Sequence, residues 1–454
     1  MKTKRILMFV IIGVLLLGTA SCSSNNTSTK IEGVKIGLTN DKGVNKITIA
    51  YIDGYQDIIA SAILQYNQKY TDVKIEGICV PKDSFKDYKT KLSAEILVGE
   101  GPDVLYFYPD YFNSLHKVMT SGALYDLNQL ISKDTEFKMS DYNEIVMDYG
   151  VLDGKRYFIP LAYSRILFAT SKKALEKNNV NIDESGSTWE ELEQIVKKFM
   201  ASNKDKNLDF FDSYFNFDAI LGCYPKSFVD YKAKRSLFDC KEFRQVLRIY
   251  KEIFPAIETE NRDSKYNNIA EAVSKNEVLL LTDSFLMPTF TSSINERFLK
   301  FTGEEVEYIP FTYPDKSGKF IPAMYSLVSI NAKCKEKVAA FNFIKILLSK
   351  EMQSEKYRFS QKIGGYFLGT PINNEALKDD LHFYTGEYEF SPPLSERLVS
   401  QYLDMTQHVI KGELVDSQIY KIVNEAVKEY VISAMTEDQT IQEIDNKVEL
   451  FLNE

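Results

Sequence analysis

The sequence predicts an α/β fold, and two observations carry that prediction. Between residues 46 and 109, short apolar segments of strand length alternate with longer segments whose apolar residues recur at helical spacing. The chain also has 454 residues, of which 44% are hydrophobic and 26% charged, so it can form two domains with sizeable cores. Strands that alternate with helices predict a parallel sheet with right-handed crossovers.

The first strand–helix–strand unit begins at Lys46. The segment "KITIAYI" (Lys46 to Ile52) is typical of a short buried strand, and "VKIEGICV" (Val73 to Val80) alternates as a second strand. The segment between them is a predicted helix with one apolar face. That face consists of Ile58, Ile59, Ala62, Ile63, Tyr66 and Tyr70.

A second helix and a third strand follow. The helix "FKDYKTKLSAEILVGEG" should end at Gly99 and Gly101, because glycine takes the left-handed conformation that ends many helices. Pro102 then fixes a turn, and "DVLYFYP" is the third strand. Tyrosines 106, 108 and 111 lie at the carboxyl end of this strand, which is where open α/β sheets bind ligands.

The segment from Gly150 to Leu175 predicts a change of direction. It contains a tight Asp-Gly turn, a strand that ends at Pro160, and a further strand, "RILFATS". The next helix, "STWEELEQIVKKFM", has a capping box formed by Thr188 and Glu191. Its buried stripe consists of Trp189, Leu192, Ile195, Val196 and Phe199.

The N-terminus has the pattern of an export signal. Residues 1–21 combine the basic "MKTKR" with the apolar run "ILMFVIIGVLLLG", which is too short for a comfortable membrane span. "TASC" resembles the bacterial lipobox, so we expect Cys22 to carry a lipid, with ordinary secretion as the alternative. Residues 22–35 begin with the small, polar "SSNNTSTK" and should form a flexible tether.

Charge and motif content narrow the possible functions. A net charge of −9 argues against nucleic acid or an anionic membrane surface as a direct partner. The chain has no HExxH, GxSxG or phosphate-loop motif, and we expect no cofactor and no metal. Cys79, Cys223, Cys240 and Cys334 show no zinc spacing; Cys223 and Cys240 could pair, but buried free thiols are favoured.

Several motifs together resemble family 1 extracellular solute-binding proteins, the maltose-binding-protein-like lipoproteins of bacterial ABC importers. They are "TASC", "GEGPDVLYF", "GALYDLNQLI", "GKRYFIPLAYSRILFATSKKAL", "STWEELEQIVKKF", "PAMYSLVSINAKCKEKVAAFNFIKILLSKEMQ" and "TEDQTIQEIDNKVELFLNE". They occur in the family's order and cover nearly the whole mature chain, although the segment Ala201 to Tyr266 matches poorly.

The resemblance implies a two-lobed fold of the periplasmic-binding-protein type (type II), with a mostly parallel sheet in each lobe and a ligand cleft between the lobes. Lobe 1 should comprise residues 36–152 plus 305–352, and lobe 2 residues 153–304 plus 353–454. It further implies capture of a small solute by closure of the lobes, delivery to ABC-transporter permease subunits, and no enzymatic activity. The expected solute is a mono- or oligosaccharide.

Candidate ligand-binding residues come from strand ends and interlobe loops, where aromatic rings could stack on sugars and polar groups could bind hydroxyls. They are Tyr55, Tyr108, Asp110, Tyr163, Ser164, Asp283, Phe285, Met324, Tyr325, Ser326 and Tyr366. A strongly anionic solute is disfavoured, because Arg165 is the only arginine near a crossing between lobes.

Three alternatives remain at this stage. The solute could be a polyamine, a peptide or a phosphate ester rather than a sugar. The protein could present its ligand to a membrane sensor instead of a transporter. It could also be an exported glycan-active enzyme, because an acidic chain always offers pairs of carboxylates.

Overall fold

The structure is a computed structural model of the chain, in which residues Gly33–Glu454 form one compact unit. It describes residues 34–36, 45–183, 186–203, 208–224, 227–257, 268–285, 287–310, 316–360, 367, 369–385 and 393–454. The predicted signal peptide (1–21), Cys22 and nearly all of the predicted tether (22–35) lie outside these residues, as does Tyr366.

The described strands alternate with helices through the first part of the chain. The strands are β1 (Val34–Ile36), β2 (Asn45–Ile52), β3 (Val73–Val80), β4 (Val104–Phe107), β5 (Val151–Leu152), β6 (Lys155–Arg156), β7 (Ile159–Thr170), β8 (Asp209–Phe211), β9 (Val229–Asp230), β10 (Arg235–Ser236), β11 (Val278–Phe285), β12 (Glu307–Pro310), β13 (Ala323–Ile330) and β14 (Thr370–Pro371). Ten of them form one sheet.

The helices cover both faces and the ends of this sheet. Within the described residues they are Gln56–Lys69, Phe85–Leu97, Leu115–Thr120, Asn128–Ile131, Glu144–Met147, Lys172–Lys177, Trp189–Ser202, Phe217–Leu221, Lys241–Ile253, Ile269–Ser274, Pro288–Thr302, Lys337–Leu347, Lys350–Gln353, Glu355–Ser360, Asn374–Tyr384, Glu396–Gln407, Ser417–Val431 and Glu437–Asn453. None of those described is long and apolar enough to cross a membrane.

The first strand–helix–strand units form as predicted. β2 pairs in parallel with both β3 and β4, and the helices Gln56–Lys69 and Phe85–Leu97 connect these strands. Gly99 and Gly101 have φ angles of +80° and +86°, in the left-handed region that the sequence required of them. The carboxyl end of β4 therefore points to the same edge of the sheet as that of β2.

The sheet as a whole is mixed rather than mostly parallel. β13 pairs antiparallel with both β4 and β7, and β7 also pairs antiparallel with β11. Parallel pairing occurs between β2 and its two neighbours and between β8 and β11. The parallel interpretation came from the first hundred residues, where the crossover helices are local in sequence. The antiparallel partners come from distant segments.

One continuous strand links the two halves of the sheet. The prediction of a strand that ends at Pro160 and a separate one from Arg165 is wrong, because β7 runs unbroken over twelve residues, Ile159–Thr170. Its first half pairs with β13, and its second half pairs with β11 and β12. Pro160 is tolerated where the register between β7 and β13 is irregular, so its missing N–H breaks no regular ladder.

The helix Trp189–Ser202 contributes an apolar stripe to the hydrophobic core. The helix Trp189–Ser202 has the predicted capping box, and Trp189 is buried together with Leu192, Val196 and Phe199. Ile195, the remaining member of the predicted stripe, is partly buried. Cys223 and Cys334 are free thiols. Cys79 and Cys334 are buried, as the sequence favoured, whereas Cys223 and Cys240 are only partly buried.

A buried acidic pair lies under the helix Glu355–Ser360. Asp380 accepts hydrogen bonds from Ser354 Oγ (2.7 Å) and from the backbone N–H of Glu355 (2.8 Å). The Glu355 side chain is itself buried, and this burial, together with the negative charge of Asp380, raises its pKa to about 7. The folded protein therefore holds a proton that the unfolded chain, with a glutamate pKa of 4.5, releases earlier.

We expect this group to make stability fall as pH rises. Between pH 5.5 and 8, the contribution of Glu355 to the free energy of unfolding should decrease by about 2 kcal/mol, because the unfolded chain ionises first. Glu355→Gln should gain that amount relative to the parent protein over the same range in urea titrations. The exposed Glu351→Gln is the matched control, and an equal pH trend in both variants would contradict the assignment.

Candidate ligand-binding cavity

A cavity of about 690 Å³ lies beside the point where β7 leaves β13 and joins β11. Arg165 and Ile166 of β7 and Met324 at the start of β13 line one wall, together with Pro109, which follows β4. The sheet topology brings these residues together, because β13 lies between β4 and β7. The volume is within the range of small-molecule binding sites.

The helices Phe217–Leu221 and Ser417–Val431 form a second wall of the cavity. Asp218 and Ala219 come from the helix Phe217–Leu221, and Tyr420 and Asn424 come from one face of Ser417–Val431. The cavity is therefore enclosed by segments that are distant in sequence and attached to different parts of the sheet. Such an arrangement allows a ligand to contact both segments of the chain at once.

Asp218 is the buried acidic group of this wall. Its Oδ2 accepts a hydrogen bond from Asn424 Nδ2 (2.7 Å), whereas its Oδ1 is buried with no hydrogen-bond partner in the described part of the chain. Burial raises the pKa of the carboxyl group to about 6, despite the opposing effect of the Asn424 hydrogen bond. Asp218 lines the cavity, so its carboxyl group can take part in binding a solute there.

Arg165 is the buried basic residue of the first wall, to which β7 and β13 contribute. Its side chain lies 4.7 Å from the ring centroid of Phe320, and one Nη donates to the carbonyl oxygen of Gly318 at 3.3 Å. Removal from water lowers the pKa of the guanidinium to about 10, so it stays charged at neutral pH. Burial also raises the pKa of the neighbouring Cys223 thiol to about 12.

Four tyrosines cluster at the carboxyl end of β4, and none of them is among the described residues that line this cavity. The ring centroids of Tyr55 and Tyr106 are 5.2 Å apart, those of Tyr108 and Tyr111 are 5.5 Å apart, and the hydroxyls of Tyr55 and Tyr108 are hydrogen-bonded. Tyr106 and Tyr111 are buried, whereas Tyr55 and Tyr108 keep partly exposed rings. Pro109 joins the cluster to the cavity wall.

The other predicted site residues have different surroundings. Met324 lines the cavity. Ser326 is buried and shares a hydrogen bond with the Tyr106 hydroxyl (2.8 Å), and the buried Tyr163 hydroxyl accepts one from Asn143 Nδ2 (3.5 Å). Asp110 pairs with Lys89 at 3.0 Å on the surface.

Five predicted residues complete the set. Ser164 is buried in β7, Tyr325 is partly buried in β13, and Asp283 is partly buried in β11. The backbone of Phe285 pairs with that of Arg165 at the end of β11, and Tyr366 lies outside the described residues. Contact of these residues with a ligand stays a prediction.

Sequence reasoning missed most of the residues in the second wall of the cavity. Asp218 and Cys223 come from the segment that matched the known family poorly, and Tyr420 and Asn424 come from a helix near the C-terminus. The only available signal was the i, i+4 spacing of Tyr420 and Asn424, which places two polar groups on one helix face. That spacing is too common to indicate a site without the tertiary structure.

Known proteins of similar structure share this architecture. The sugar-binding protein MalE of Xanthomonas citri superposes with a TM-score of 0.67 at 16% identity, covering 90% of this chain and 98% of its own. A periplasmic oligogalacturonide-binding protein of Yersinia enterocolitica gives 0.63 at 13% identity, covering 90% and 99%. An ABC substrate-binding protein of Listeria monocytogenes in complex with cycloalternan gives 0.61 at 15% identity, covering 90% and 99%.

The fold and the cavity thus define a two-lobed α/β protein of the solute-binding class. The family model described as "Bacterial extracellular solute-binding protein" matches residues 61–381, and the chain belongs to that family. Members of an extracellular family are exported, so export follows from this membership. No curated protein matches the chain in sequence.

Proposed function

We propose that this protein captures a mono- or oligosaccharide outside the cytoplasmic membrane and delivers it to the permease subunits of an ABC importer. The observation that carries the proposal is the cavity of about 690 Å³, whose two walls come from distant parts of the chain in a solute-binding fold. Tyr149 and Tyr420 line this cavity, and tyrosine rings are of the kind that stack on sugars. The printed ligands of the structural relatives, cycloalternan and oligogalacturonide, support the same solute class.

The working motion would be closure of two lobes around the solute. We propose lobe 1 as residues 36–152 plus 305–352 and lobe 2 as residues 153–304 plus 353–454. The pairing of β12 with the second half of β7 favours a crossing after Pro310 rather than at residue 305. Lipid on Cys22 would hold the protein at the outer face of the membrane, and its role would be binding without catalysis.

Thermal unfolding of residues 30–454 against a panel of mono- and oligosaccharides tests this function. A ligand that binds only the folded protein should raise the melting temperature, with about 2.7 kcal/mol of stabilisation at a hundredfold excess over its dissociation constant. The bound sugar should be recovered unchanged.

Each other outcome has a definite meaning. Cleavage of the sugar would contradict a binding role and favour a glycan-active enzyme. A panel without any shift would contradict saccharide capture, and the same assay would then be applied to polyamines and peptides.

A further inference from the structure

The unused hydrogen-bonding capacity of Arg165 is the feature that extends the proposed function. A guanidinium has five N–H donors. Only one of them is used, in the 3.3 Å bond to the Gly318 carbonyl, and the Nε–H is buried without a partner in the described part of the chain. Arg165 is only 6% exposed, yet it lines the cavity of about 690 Å³ described above.

Arg165 also has no carboxylate partner among the described residues. No acidic group there lies within 4.0 Å of its nitrogens, and the acidic residue that acts on it electrostatically is Asp404. The neighbouring Cys223 is a neutral thiol because burial raises its pKa to about 12. Arg165 lines both this cavity and a neighbouring one of about 320 Å³, which Gly318 and Asp404 also line. A buried charge is normally paired, so an anion bound in the larger cavity would supply the partner that Arg165 lacks among the described residues.

The ring of Phe320 orients this group in advance. It lies against the guanidinium at 4.7 Å, which limits rotation of the planar fork. A planar fork binds carboxylates with two parallel hydrogen bonds. The exposed charges at the cavity rim offset one another, because Lys319 and Lys421 are matched by Glu413 and Glu425.

The second wall of the cavity contains a hydrogen-bond acceptor, the carboxylate of Asp218. Asp218 lines the cavity, its carboxylate can accept a hydrogen bond from a hydroxyl, and a sugar supplies hydroxyls along its length. We infer that the solute is an acidic saccharide, whose carboxylate binds the fork of Arg165 while its hydroxyls bind Asp218. This inference rests on the proposed function and narrows its substrate class. It reverses the expectation from sequence that an anionic solute is disfavoured.

Matched pairs of neutral and acidic sugars test the inference on the native protein. Galactose and galacturonic acid, glucose and glucuronic acid, and the α-1,4-linked trimers of glucose and galacturonic acid should be compared by calorimetry. The acidic member of the best pair should bind roughly 100-fold more tightly, because its hydrogen bonds to Arg165 are charge-assisted. Equal or tighter binding of the neutral member would overturn the inference and leave saccharide capture standing.

Two variants test whether Arg165 is responsible. Arg165→Met should reduce the acid preference to within a few-fold of unity, and Arg165→Lys should give an intermediate preference because lysine keeps the charge without the fork. Lys421→Met, at the exposed rim of the same cavity, should leave the preference unchanged. The melting temperature of each ligand-free variant checks that it folds.

The remaining outcomes are also informative. An acid preference that survives Arg165→Met would overturn the assignment to Arg165. Failure of every sugar, neutral and acidic, would overturn the proposed function itself and this inference with it.

Discussion

Gly150→Ala should destabilise the protein by about 3 kcal/mol, because overpacking against fixed backbone is poorly relieved. A Cβ atom at Gly150 would lie 1.8 Å from the carbonyl oxygen of Phe158, and that oxygen belongs to backbone rather than to a movable side chain. The two segments are held together by the hydrogen bond from Tyr157 N–H to the Gly150 carbonyl (2.8 Å). Urea unfolding followed by circular dichroism measures the change.

Arg156 makes this collision harder to avoid. Its guanidinium donates to the Met147 carbonyl and to Asp148 Oδ1 (2.8 Å), so the turn before Gly150 is fixed from a second side. Gly122→Ala is the control, because Gly122 has φ +80° but no atom within 4 Å of the added Cβ. It should cost about 1 kcal/mol from backbone strain alone. Equal losses in both variants would show that close contact with Phe158 is unimportant.

Ala219→Trp should abolish solute binding, with a loss of affinity of more than roughly 100-fold. Ala219 belongs to the helix Phe217–Leu221 and lines the ligand-binding cavity proposed above. An indole at this position would therefore fill space that the solute needs. It would separate Asp218 from the solute and oppose closure. The measurement is the ligand-induced rise in melting temperature, with calorimetry of the sugar identified in the panel.

A tryptophan at an exposed helical position controls for nonspecific effects. Ala94 lies on the exposed face of the helix Phe85–Leu97 and does not line this cavity, so Ala94→Trp should bind normally. Since the native chain has one tryptophan, Trp189, which is buried, fluorescence also separates the new side chain from the old one. Normal binding by Ala219→Trp would place the solute elsewhere.

Helices and strands were predictable from sequence where the residues that determine them are close together in the chain. β3 has the bounds predicted from its alternating residues, and the capping box at Thr188 and Glu191 forms as its spacing required. The end of β4 carries its tyrosines to one cluster because strand direction fixes which edge they reach. Hydrophobic period, capping and turn chemistry involve residues that are close in the chain, so a single sequence records them.

Partners that are distant in the chain were not predictable. The continuity of β7 through Pro160 depends on β13, more than 150 residues later, and nothing near Pro160 signals it. The cavity depends on the same long-range pairing. The sequence shows Arg165 as one arginine near a crossing. Its burial and its contacts depend on Phe320 and Gly318, which are more than 150 residues away in the chain.

The sequence by itself determined the alternation of strands and helices and the resemblance that family membership confirms. Each of these is written in composition, short-range periodicity or ordered motifs. Only the tertiary structure decided that the sheet is mixed, that one strand carries the connection, and that Arg165 and Asp218 line the same cavity. The physical reason is that long-range strand pairing and burial, rather than local preference, set the surroundings of a side chain.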